Sequence, residues 1–240
     1  MRDTGYDSPA VVERYASLRE RGLTERETAA IDRFLDPDAS VLDLGCGAGR
    51  TTGPLREWGF DVVAADVSGP MVESARGAVP DCSFAVADAA SLPFGDRSFD
   101  AVLFSYNGLD ELRPEAARLD ALREIRRVLV PGGTVAFSTR NRLRWLVPFP
   151  PTRSTLSSLL RFWRVNLLQG NLGSRYKRDV TSMSPKRVHF SDPWSQTGQL
   201  HRVGLEPVAR LGKSGPLSTV FGPSLFVVAR RPCIGRSTRC

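Results

Sequence analysis

Short apolar runs alternate with amphipathic stretches along most of this 240-residue chain. Runs of this length are typical of buried strands, whereas apolar residues at three- and four-residue spacing indicate helices. Leu122, Ile125 and Leu129 illustrate the helical spacing, because they share one helix face. The pattern predicts strands at residues 40–44, 61–66, 82–87, 99–104, 133–139, 205–211 and 224–230, and helices at 8–20, 24–35, 49–58, 69–78, 114–129, 155–169 and 193–203.

The boundaries of two predicted helices carry capping residues. Thr24 and Glu27 have the spacing of a capping box, and Ser68 precedes a helix with Pro70 in its first turn.

Strand–helix alternation implies a parallel sheet with right-handed crossovers. Ligands of such sheets bind at the carboxyl ends of the strands, so residues at strand ends are the candidates for a site.

Charge changes this picture in one segment. The net charge is +7, yet residues 142–192 hold ten Lys or Arg and only two Asp, which leaves the remainder of the chain at −1. A local excess of this kind indicates weak contact with an anionic partner or surface rather than a generally basic protein.

Composition bounds the class of protein. No stretch approaches the ~20 apolar residues that span a bilayer, and the polar N-terminus lacks the apolar region of a signal peptide. The four cysteines form no CxxC pair, and we expect all of them to be reduced thiols in a cytoplasmic protein. No His/Cys cluster has metal-ligand spacing, so no metal is expected.

The most informative segment is VLDLGCGAGR, Val41 to Arg50. An apolar strand carrying Asp43 runs into Gly45, Cys46, Gly47 and Gly49. Glycines at a strand–helix junction allow positive φ and close approach of a ligand to the backbone. The spacing differs from the dinucleotide fingerprint, because the third glycine comes one residue early.

Four further segments follow in order. They are DVVAADVS ending near Asp66, CSFAVADA ending near Asp88 and Ala89, SLPFGDRSFDAVLFSYN, and REIRRVLVPGGTVAFSTRN. With the glycine loop, these segments resemble the motifs of the class I S-adenosylmethionine (SAM)-dependent methyltransferases of the small-molecule, type 11/25-like group. The resemblance covers residues 40–141 and returns more weakly over 189–230.

The resemblance implies an α/β, Rossmann-like three-layer sandwich with SAM as cofactor. Its seven-stranded sheet is mostly parallel, with an antiparallel last strand and a lid insertion after strand five. We expect one domain over 1–240, made of an N-terminal helical cap 1–38, a SAM-binding core 39–141, a basic and apolar lid 142–192, a C-terminal part of the core 193–231 and a flexible tail 232–240.

The resemblance also implies site residues. Asp66 is expected to accept from the ribose hydroxyls, and Asp88 with Ala89 to recognise adenine, while Asp43 would act indirectly by holding the loop amides or a water. The remaining cofactor candidates are Gly45, Cys46, Gly47, Gly49, Val67 and Ser105. Tyr106 and Asn107 would line the acceptor side. Tyr6, Tyr15, Arg14 and Arg50 are the candidates for the cofactor carboxylate.

No catalytic residue stands out. His189 is a candidate general base, but a lone histidine is more often a hydrogen-bonded structural residue, and Tyr106 is the other weak candidate. The helix around Phe162 and Trp163 is interpreted as a substrate lid, with a membrane-surface element or an ordinary core helix as alternatives. As lid residue, Trp163 would shield the acceptor.

These features favour SAM-dependent methyl transfer to a small-molecule or lipid-like acceptor, with an anionic group suggested by the basic segment. Two alternatives stay open. One is an RNA methyltransferase, suggested by the basic pI, although no RNA-binding module is recognisable and no specific nucleic acid is expected. The other is a catalytically silent SAM-binding regulator.

Overall fold

A computed structural model describes residues 5–146, 151–171, 173–179, 187–212 and 220–233. Its helices are α1 Pro9–Ala16, α2 Glu25–Phe34, α3 Thr52–Glu57, α4 Gly69–Ala78, α5 Glu115–Val128, α6 Arg153–Leu168 and α7 Pro193–Arg202. Its strands are β1 Ser40–Leu44, β2 Asp61–Asp66, β3 Ser83–Val86, β4 Phe99–Phe104, β5 Leu129–Arg140, β6 Tyr176–Arg178, β7 Arg187–His189, β8 Glu206–Leu211 and β9 Ser224–Arg230.

Seven of these strands form one sheet in the order β3-β2-β1-β4-β5-β9-β8. The first five strands are parallel, and β9 runs antiparallel between β5 and β8. The predicted α/β fold, with a seven-stranded, mostly parallel sheet and an antiparallel last strand, is therefore confirmed. Strand order reverses between β1 and β4, which is where ligands bind in sheets of this type.

Helices cover both faces of the sheet. On one face, Leu122 and Ile125 of α5 and Leu200 of α7 pack in the larger apolar cluster. On the other face, Ile31 of α2 and Leu55 of α3 pack against the sheet. Because both faces are covered, the parallel strands read as nearly continuous apolar runs, which made them easy to predict.

Caps fix the helix boundaries, and one boundary corrects the sequence prediction. The Thr24–Glu27 capping box forms at α2, and the Ser68 hydroxyl accepts from the Met71 amide at α4. The predicted helix at 8–20 is wrong over residues 17–20, because α1 ends at Ala16. The Ser17 hydroxyl donates to the Arg14 carbonyl, which is the local side-chain competition that ends helices.

The fifth strand also begins earlier than predicted. It starts at Leu129, which pairs with Phe99, and a register irregularity separates this pair from the regular ladder that begins at Ala101 and Thr134. The Gly132–Gly133 turn therefore lies within the strand as an irregularity and does not precede it.

The segment between β5 and α7 has its own small core. The 3-10 turn Arg142–Trp145 and α6 pack with the antiparallel pair β6–β7 through Trp145, Phe162, Val188 and Phe190. The sequence did not predict β6 or β7, because three-residue strands leave almost no alternation to detect.

Two further expectations concern cysteines and membranes. Cys46 and Cys82 are free thiols, whereas Cys233 is disulfide-bonded, so the expectation of a reduced thiol is wrong there. The absence of a CxxC motif does not exclude a disulfide between cysteines at other separations.

Within the described ranges, no helix is long and apolar enough to cross a bilayer. The expected tail falls mostly on residues 234–240, which lie outside the described ranges.

Candidate functional site

A cavity of about 730 Å³ opens at the carboxyl ends of β1, β2, β4 and β5. Its wall combines loop residues from those strand ends with the N-terminal segment and with residues before and after α6. The volume is in the range of cofactor and small-molecule sites. The cavity therefore lies where the strand-end argument placed a ligand.

The glycine loop forms one wall of this cavity. The Gly45 and Cys46 amides donate to the Ala65 carbonyl at 2.7 and 3.1 Å, which fastens the loop to β2. Gly45 has φ of +67°, and a Cβ on it would lie 2.8 Å from the Phe104 ring. Gly47 has φ of +54°. Any side chain at these two positions would be strained, and at Gly45 it would also collide with Phe104.

Asp66 lies at the end of β2 and lines the cavity. Its two carboxylate oxygens accept from the Gly47 amide and the Ser68 amide, each at 2.9 Å. Burial raises the pKa of Asp66, and backbone hydrogen bonds oppose that rise. A carboxylate has about four acceptor positions, so capacity remains for a ligand hydroxyl.

Asp43 lies beneath the loop and not in the cavity wall. It is buried, and it accepts from the hydroxyls of Thr51 and Thr52 at 2.6–2.9 Å. Burial raises its pKa to about 6. Asp43 therefore holds the start of α3 through two threonines, whereas the sequence argument expected it to hold loop amides or a water.

Three other strand-end residues lie together in the cavity wall. Val67 follows Asp66, and Asp88 with Ala89 follow β3 on the neighbouring edge of the sheet. The Asp88 Oδ1 accepts from the Ala90 amide at 2.9 Å, which turns the chain sharply at this position. The structure thus brings the predicted ribose and adenine residues into one cavity.

Cys46 and Gly49 belong to the predicted set but do not line this cavity. Cys46 is buried, and burial raises the pKa of its thiol far above the usual range. A Cβ on Gly49 would lie 3.3 Å from the Ala75 Cβ, so this glycine allows α4 to approach the loop closely. Both residues support the loop from behind.

Arg50 forms a buried clamp under the cavity. Its guanidinium pairs with both Glu27 oxygens, at 2.9 and 2.6 Å, and donates to the Gly22 carbonyl. Ser105, which does line the cavity, donates to the same Glu27 carboxylate. Arg50 and the exposed Arg14 are therefore not in the cavity wall, unlike the two tyrosine candidates.

Three tyrosines line the cavity in an edge-to-face series. The Tyr6 and Tyr15 ring centroids are 5.9 Å apart, and Tyr15 and Tyr106 are 6.2 Å apart. Burial raises the pKa of Tyr15 to about 12, and burial together with a hydrogen bond to Glu111 raises that of Tyr6 further. Both phenols therefore remain protonated and can donate.

Tyr106 and Asn107 adopt left-handed backbone, with φ of 56° and 63°. Such angles are uncommon outside glycine and are concentrated at functional sites. The Asn107 amide donates to the Ser138 hydroxyl at 2.7 Å, which holds this turn against β5. The turn directs both residues to the cavity wall.

Charged residues that the sequence argument missed complete this side. Arg140 ends β5, and its guanidinium lies 2.9 Å from the Asp179 carboxylate and 3.4 Å from that of Glu111. Arg144 lines the cavity beside them, with its guanidinium 5.0 Å from the Trp145 ring centre. The strand-end rule could have found Arg140, but nothing local marks Glu111 or Asp179.

A fully buried network supports these charges. Asp110 accepts from Arg118 at 2.8 Å, from the Thr139 hydroxyl at 2.6 Å and from the Arg140 amide at 2.6 Å. Arg118 also donates to Gln196 and to other neighbours. The network joins α5, β5 and α7 below the acceptor side of the cavity.

Comparisons with known proteins agree with this geometry. The methyltransferase-domain family profile matches residues 41–133. A demethylmenaquinone methyltransferase of Beutenbergia cavernae is 40% identical over 113 residues, which cover 47% of this chain and 45% of the relative. A malonyl-[acyl-carrier protein] O-methyltransferase of Salmonella typhimurium is 36% identical over 129 residues, or 53% and 48% of the two chains.

Solved structures extend the likeness to most of the chain. A SAM-dependent methyltransferase from Methanosarcina mazei has a TM-score of 0.69 and 21% identity, and covers 89% of this chain and 100% of its own. Residues 41–133 thus match the methyltransferase-domain family, and the solved structure shows the same fold over most of the chain. It spans about half the length of the curated relatives that it matches.

The cofactor of this family is SAM, and the cavity fits it on three observations. Gly45 and Gly47 form a backbone cradle that a Cβ would strain. Asp66 has an acceptor position left at the end of β2. Asp88 and Ala89 lie on the same wall, in the order along the sheet that the methyltransferase motifs imply.

Two predicted site residues, His189 and Trp163, lie outside the cavity wall. His189 is buried in the Asp110 network, 3.3 Å from the Ser191 hydroxyl and 3.9 Å from Asp110. Burial, with Arg118 and Arg175, lowers its pKa to about 3, so the imidazole is neutral and a weak base. Trp163 donates to the Trp145 carbonyl at 2.7 Å and does not reach the cavity wall.

The predicted lid is divided between cavity and surface. From residues 142–192, the cavity wall takes Arg144 and Asp179 and nothing from α6. In the basic run, the Lys177 ammonium is buried and donates to the Asn171 carbonyl at 2.6 Å. An anion in the cavity would therefore meet Arg144 before the run Arg175–Arg178.

Proposed function

We propose that this protein transfers the methyl group of SAM to a small-molecule or lipid-like acceptor that carries an anionic group. One observation carries the proposal. A single cavity joins the glycine-loop wall, with Gly45 and Asp66, to a wall of tyrosines and charged residues at the ends of β4 and β5. Cofactor and acceptor would thus share one cavity.

In the first wall, Asp66 would accept from the ribose, and Asp88 with Ala89 would contact the adenine. The Gly45 and Gly47 backbone would admit the methionine part close to the sheet. When bound, SAM supplies a sulfonium-activated methyl group, so the protein need not generate an electrophile. The chain's own task is placement of the acceptor, which is worth roughly 7–11 kcal/mol in well-oriented reactions.

In the second wall, Tyr6, Tyr15 and Tyr106 exclude water, and Arg144 is placed to meet an anion. No described residue forms a hydrogen bond or an ion pair with the Arg144 guanidinium. Burial lowers its pKa, which means that its charged form is incompletely solvated. An anionic acceptor group would stabilise that charge and orient the acceptor at the same time.

The proton of an acceptor hydroxyl would have to leave during transfer. Glu111 is the residue we assign to that step, because its carboxylate lines the cavity beside the Tyr6 phenol and the Arg140 guanidinium. His189 is unsuited to it, being neutral, weakly basic and outside the cavity wall.

The named relatives support the proposed role of the first wall more than the identity of the acceptor. The malonyl-[acyl-carrier protein] and demethylmenaquinone enzymes differ in the acceptor that their names state, yet both match about half of this chain. Agreement over the motif region is therefore compatible with different acceptors, and the identity of this one must be measured.

Incubation with methyl-labelled SAM and fractionated cell extract tests the proposal. We expect label in the small-molecule or lipid fraction, and more of it in acidic than in neutral products. Label in RNA at physiological salt would contradict the proposal and support the RNA alternative. SAM binding by calorimetry without label in any fraction would support the silent regulator.

A further inference from the structure

Helix α6 exposes a stripe of leucines to solvent. Leu156, Leu160 and Leu167 are 47%, 63% and 61% exposed. Their spacing of four and seven residues places them along one face of the helix. A contiguous exposed apolar stripe of this kind marks an interaction surface, whereas single exposed leucines do not.

The opposite side of α6 is fixed to the protein, so the direction of the stripe is determined. Phe162 is buried and stacks on Trp145 with ring centroids 4.0 Å apart. The buried Asn166 accepts from the Arg178 amide at 2.9 Å and donates to the Arg178 carbonyl. These contacts hold the helix by one side and leave the leucines facing outward.

Arginines flank the leucine stripe. Arg153, Arg161 and Arg164 are exposed, and no described carboxylate lies within ion-pair distance of them. The sequence of α6 contains no acidic residue. We call the surface formed by Arg153, Leu156, Leu160, Arg161, Arg164 and Leu167 the Leu–Arg face.

Both carboxylates of the basic segment are engaged elsewhere. Asp179 pairs with Arg140 inside the protein, and Asp192 caps α7 while facing Arg142 at 3.6 Å. The charge of the Leu–Arg face is therefore uncompensated within the described part of the segment. Its partner must supply both negative charge and an apolar phase.

We propose that the Leu–Arg face docks on the surface of an anionic lipid bilayer. The leucines would enter the boundary between headgroups and acyl chains, and the arginines would remain at the phosphates. A helix of 16 residues with charge along one side is too short and too polar to span, so it would lie in the plane of the membrane.

Two other partners fit the face less well. RNA would complement the arginines but would leave the leucines uncovered, since single-stranded nucleic acid is bound by aromatic stacking. A second copy of this chain, paired by a two-fold axis, would bring the same arginines together without a described carboxylate between them. An anionic bilayer complements charge and leucines together.

Docking there would place the membrane near the wall of the cavity. The Trp163 indole donates to the Trp145 carbonyl, and the preceding residue Arg144 lines the cavity. This position would suit a lipid-like acceptor, but the inference stands apart from the proposed function, because vesicle binding is measured without SAM or methyl transfer.

Co-sedimentation of the full chain with vesicles tests the inference. We expect at least tenfold stronger partitioning to mixed phosphatidylcholine–phosphatidylglycerol vesicles than to phosphatidylcholine alone. The basis is that each arginine near an anionic leaflet is worth roughly a fivefold change in affinity at low salt. Trp163 fluorescence quenching by brominated lipid should report contact in a variant whose other tryptophans are phenylalanine.

Three variants separate the contributions. The triple variant Leu156→Gln, Leu160→Gln and Leu167→Gln should lose at least tenfold in partitioning at unchanged charge. The triple variant Arg153→Gln, Arg161→Gln and Arg164→Gln should lose a similar factor and its preference for anionic lipid. The matched control Arg21→Gln, Arg33→Gln and Arg202→Gln removes the same charge from exposed positions outside α6 and should bind as the wild type does.

Several outcomes would overturn the inference. If the leucine variant partitions as the wild type does, the contact is a non-specific charge interaction. If the wild type binds both vesicle types equally, lipid charge does not contribute to the contact. Light scattering that shows a dimer lost in the leucine variant would assign the face to a second copy. RNA binding of the wild type that exceeds vesicle binding and needs the arginines alone would assign it to RNA. Circular dichroism controls the fold, and Leu160→Gln alone serves if the triple variant unfolds.

Discussion

The two walls of the cavity are built in different ways. The proposed cofactor wall uses backbone turns and small side chains between Gly45 and Ala89, all at ends of neighbouring strands. The proposed acceptor wall gathers Tyr6, Glu111, Arg140, Arg144 and Asp179 from distant parts of the chain. The first is a local property of the strands, whereas the second exists only after α1, β5 and the segment after it have assembled.

The difference extends beneath the walls. Under the glycine loop, Asp43 holds only the hydroxyls of Thr51 and Thr52, within nine residues of itself. Under the acceptor wall, Asp110 holds Arg118 and Arg140, which lie on different elements. Disruption of the acceptor wall should therefore cost global stability, whereas changes at the cofactor wall should act more on binding.

The largest expected effect is the loss of stability caused by substituting Asp110. Asp110→Ala would leave the buried Arg118 without its carboxylate, and breaking such a pair costs about 3–5 kcal/mol. Urea denaturation should show this loss in the free energy of unfolding. The control Asp120→Ala, which breaks an exposed pair with Arg123, should change it by less than about 1 kcal/mol. Similar losses in both variants would show that the network does not support the acceptor wall.

The second prediction concerns the pH dependence of stability at Asp43. Its folded pKa of about 6 lies above the value of about 3.9 for an unfolded chain, so the protonated form favours folding. This contribution is present below pH 4 and is lost as pH rises through 6, at up to about 1.4 kcal/mol per unit. The difference in unfolding free energy between the wild type and Asp43→Asn should fall over that interval and then level off.

Urea titrations of both proteins from pH 4 to pH 7 measure this difference. Burial also raises the pKa values of Asp66 and Asp110, so only the comparison with Asp43→Asn isolates the one carboxyl. A difference that rises with pH, or stays constant, would contradict the proposed cause.

The third prediction tests the cofactor wall by SAM affinity. Asp66→Ala removes the acceptor at the end of β2 and the bond that holds the Gly47 amide. Loss of a hydrogen bond to a charged group costs about 1.5–3 kcal/mol, so calorimetry should show at least tenfold weaker SAM binding. Asp61→Ala, at the exposed start of the same strand, is the control and should bind normally. Wild-type affinity in folded Asp66→Ala would remove Asp66 from the site.

The smallest expected effect is a change in KM for the acceptor without a change in SAM affinity, which would show that the two walls have different functions. Arg144→Gln should raise KM for an anionic acceptor by roughly fivefold, the upper range for a partly exposed charge pair, and leave SAM affinity unchanged. The neighbouring Arg142→Gln removes an exposed charge outside the cavity wall and should change neither. Loss of SAM binding in Arg144→Gln would place this guanidinium on the cofactor and not on the acceptor.

Sequence reasoning succeeded where chemistry follows local order. The strand ends at Leu44 and Asp66 were predicted correctly, because buried parallel strands are apolar runs bounded by turns. It was less successful where a side chain could either line the site or pack in a buried cluster. Trp163 and His189 were both candidates for the site, yet each packs into a buried cluster beside it.

The sequence by itself determined the sheet, the glycine loop and the acids at the strand ends, and hence the resemblance to SAM-dependent methyltransferases. These features depend on periodicity and on backbone angles, which neighbouring residues decide. Only the tertiary structure decided that Glu111, Arg140, Arg144 and Asp179 meet in one cavity. It also decided that α6 turns Leu156, Leu160 and Leu167 to solvent. These outcomes depend on which faces of the helices and strands pack together. The hydrophobic effect is non-directional, so the apolar pattern of the sequence does not specify which faces meet.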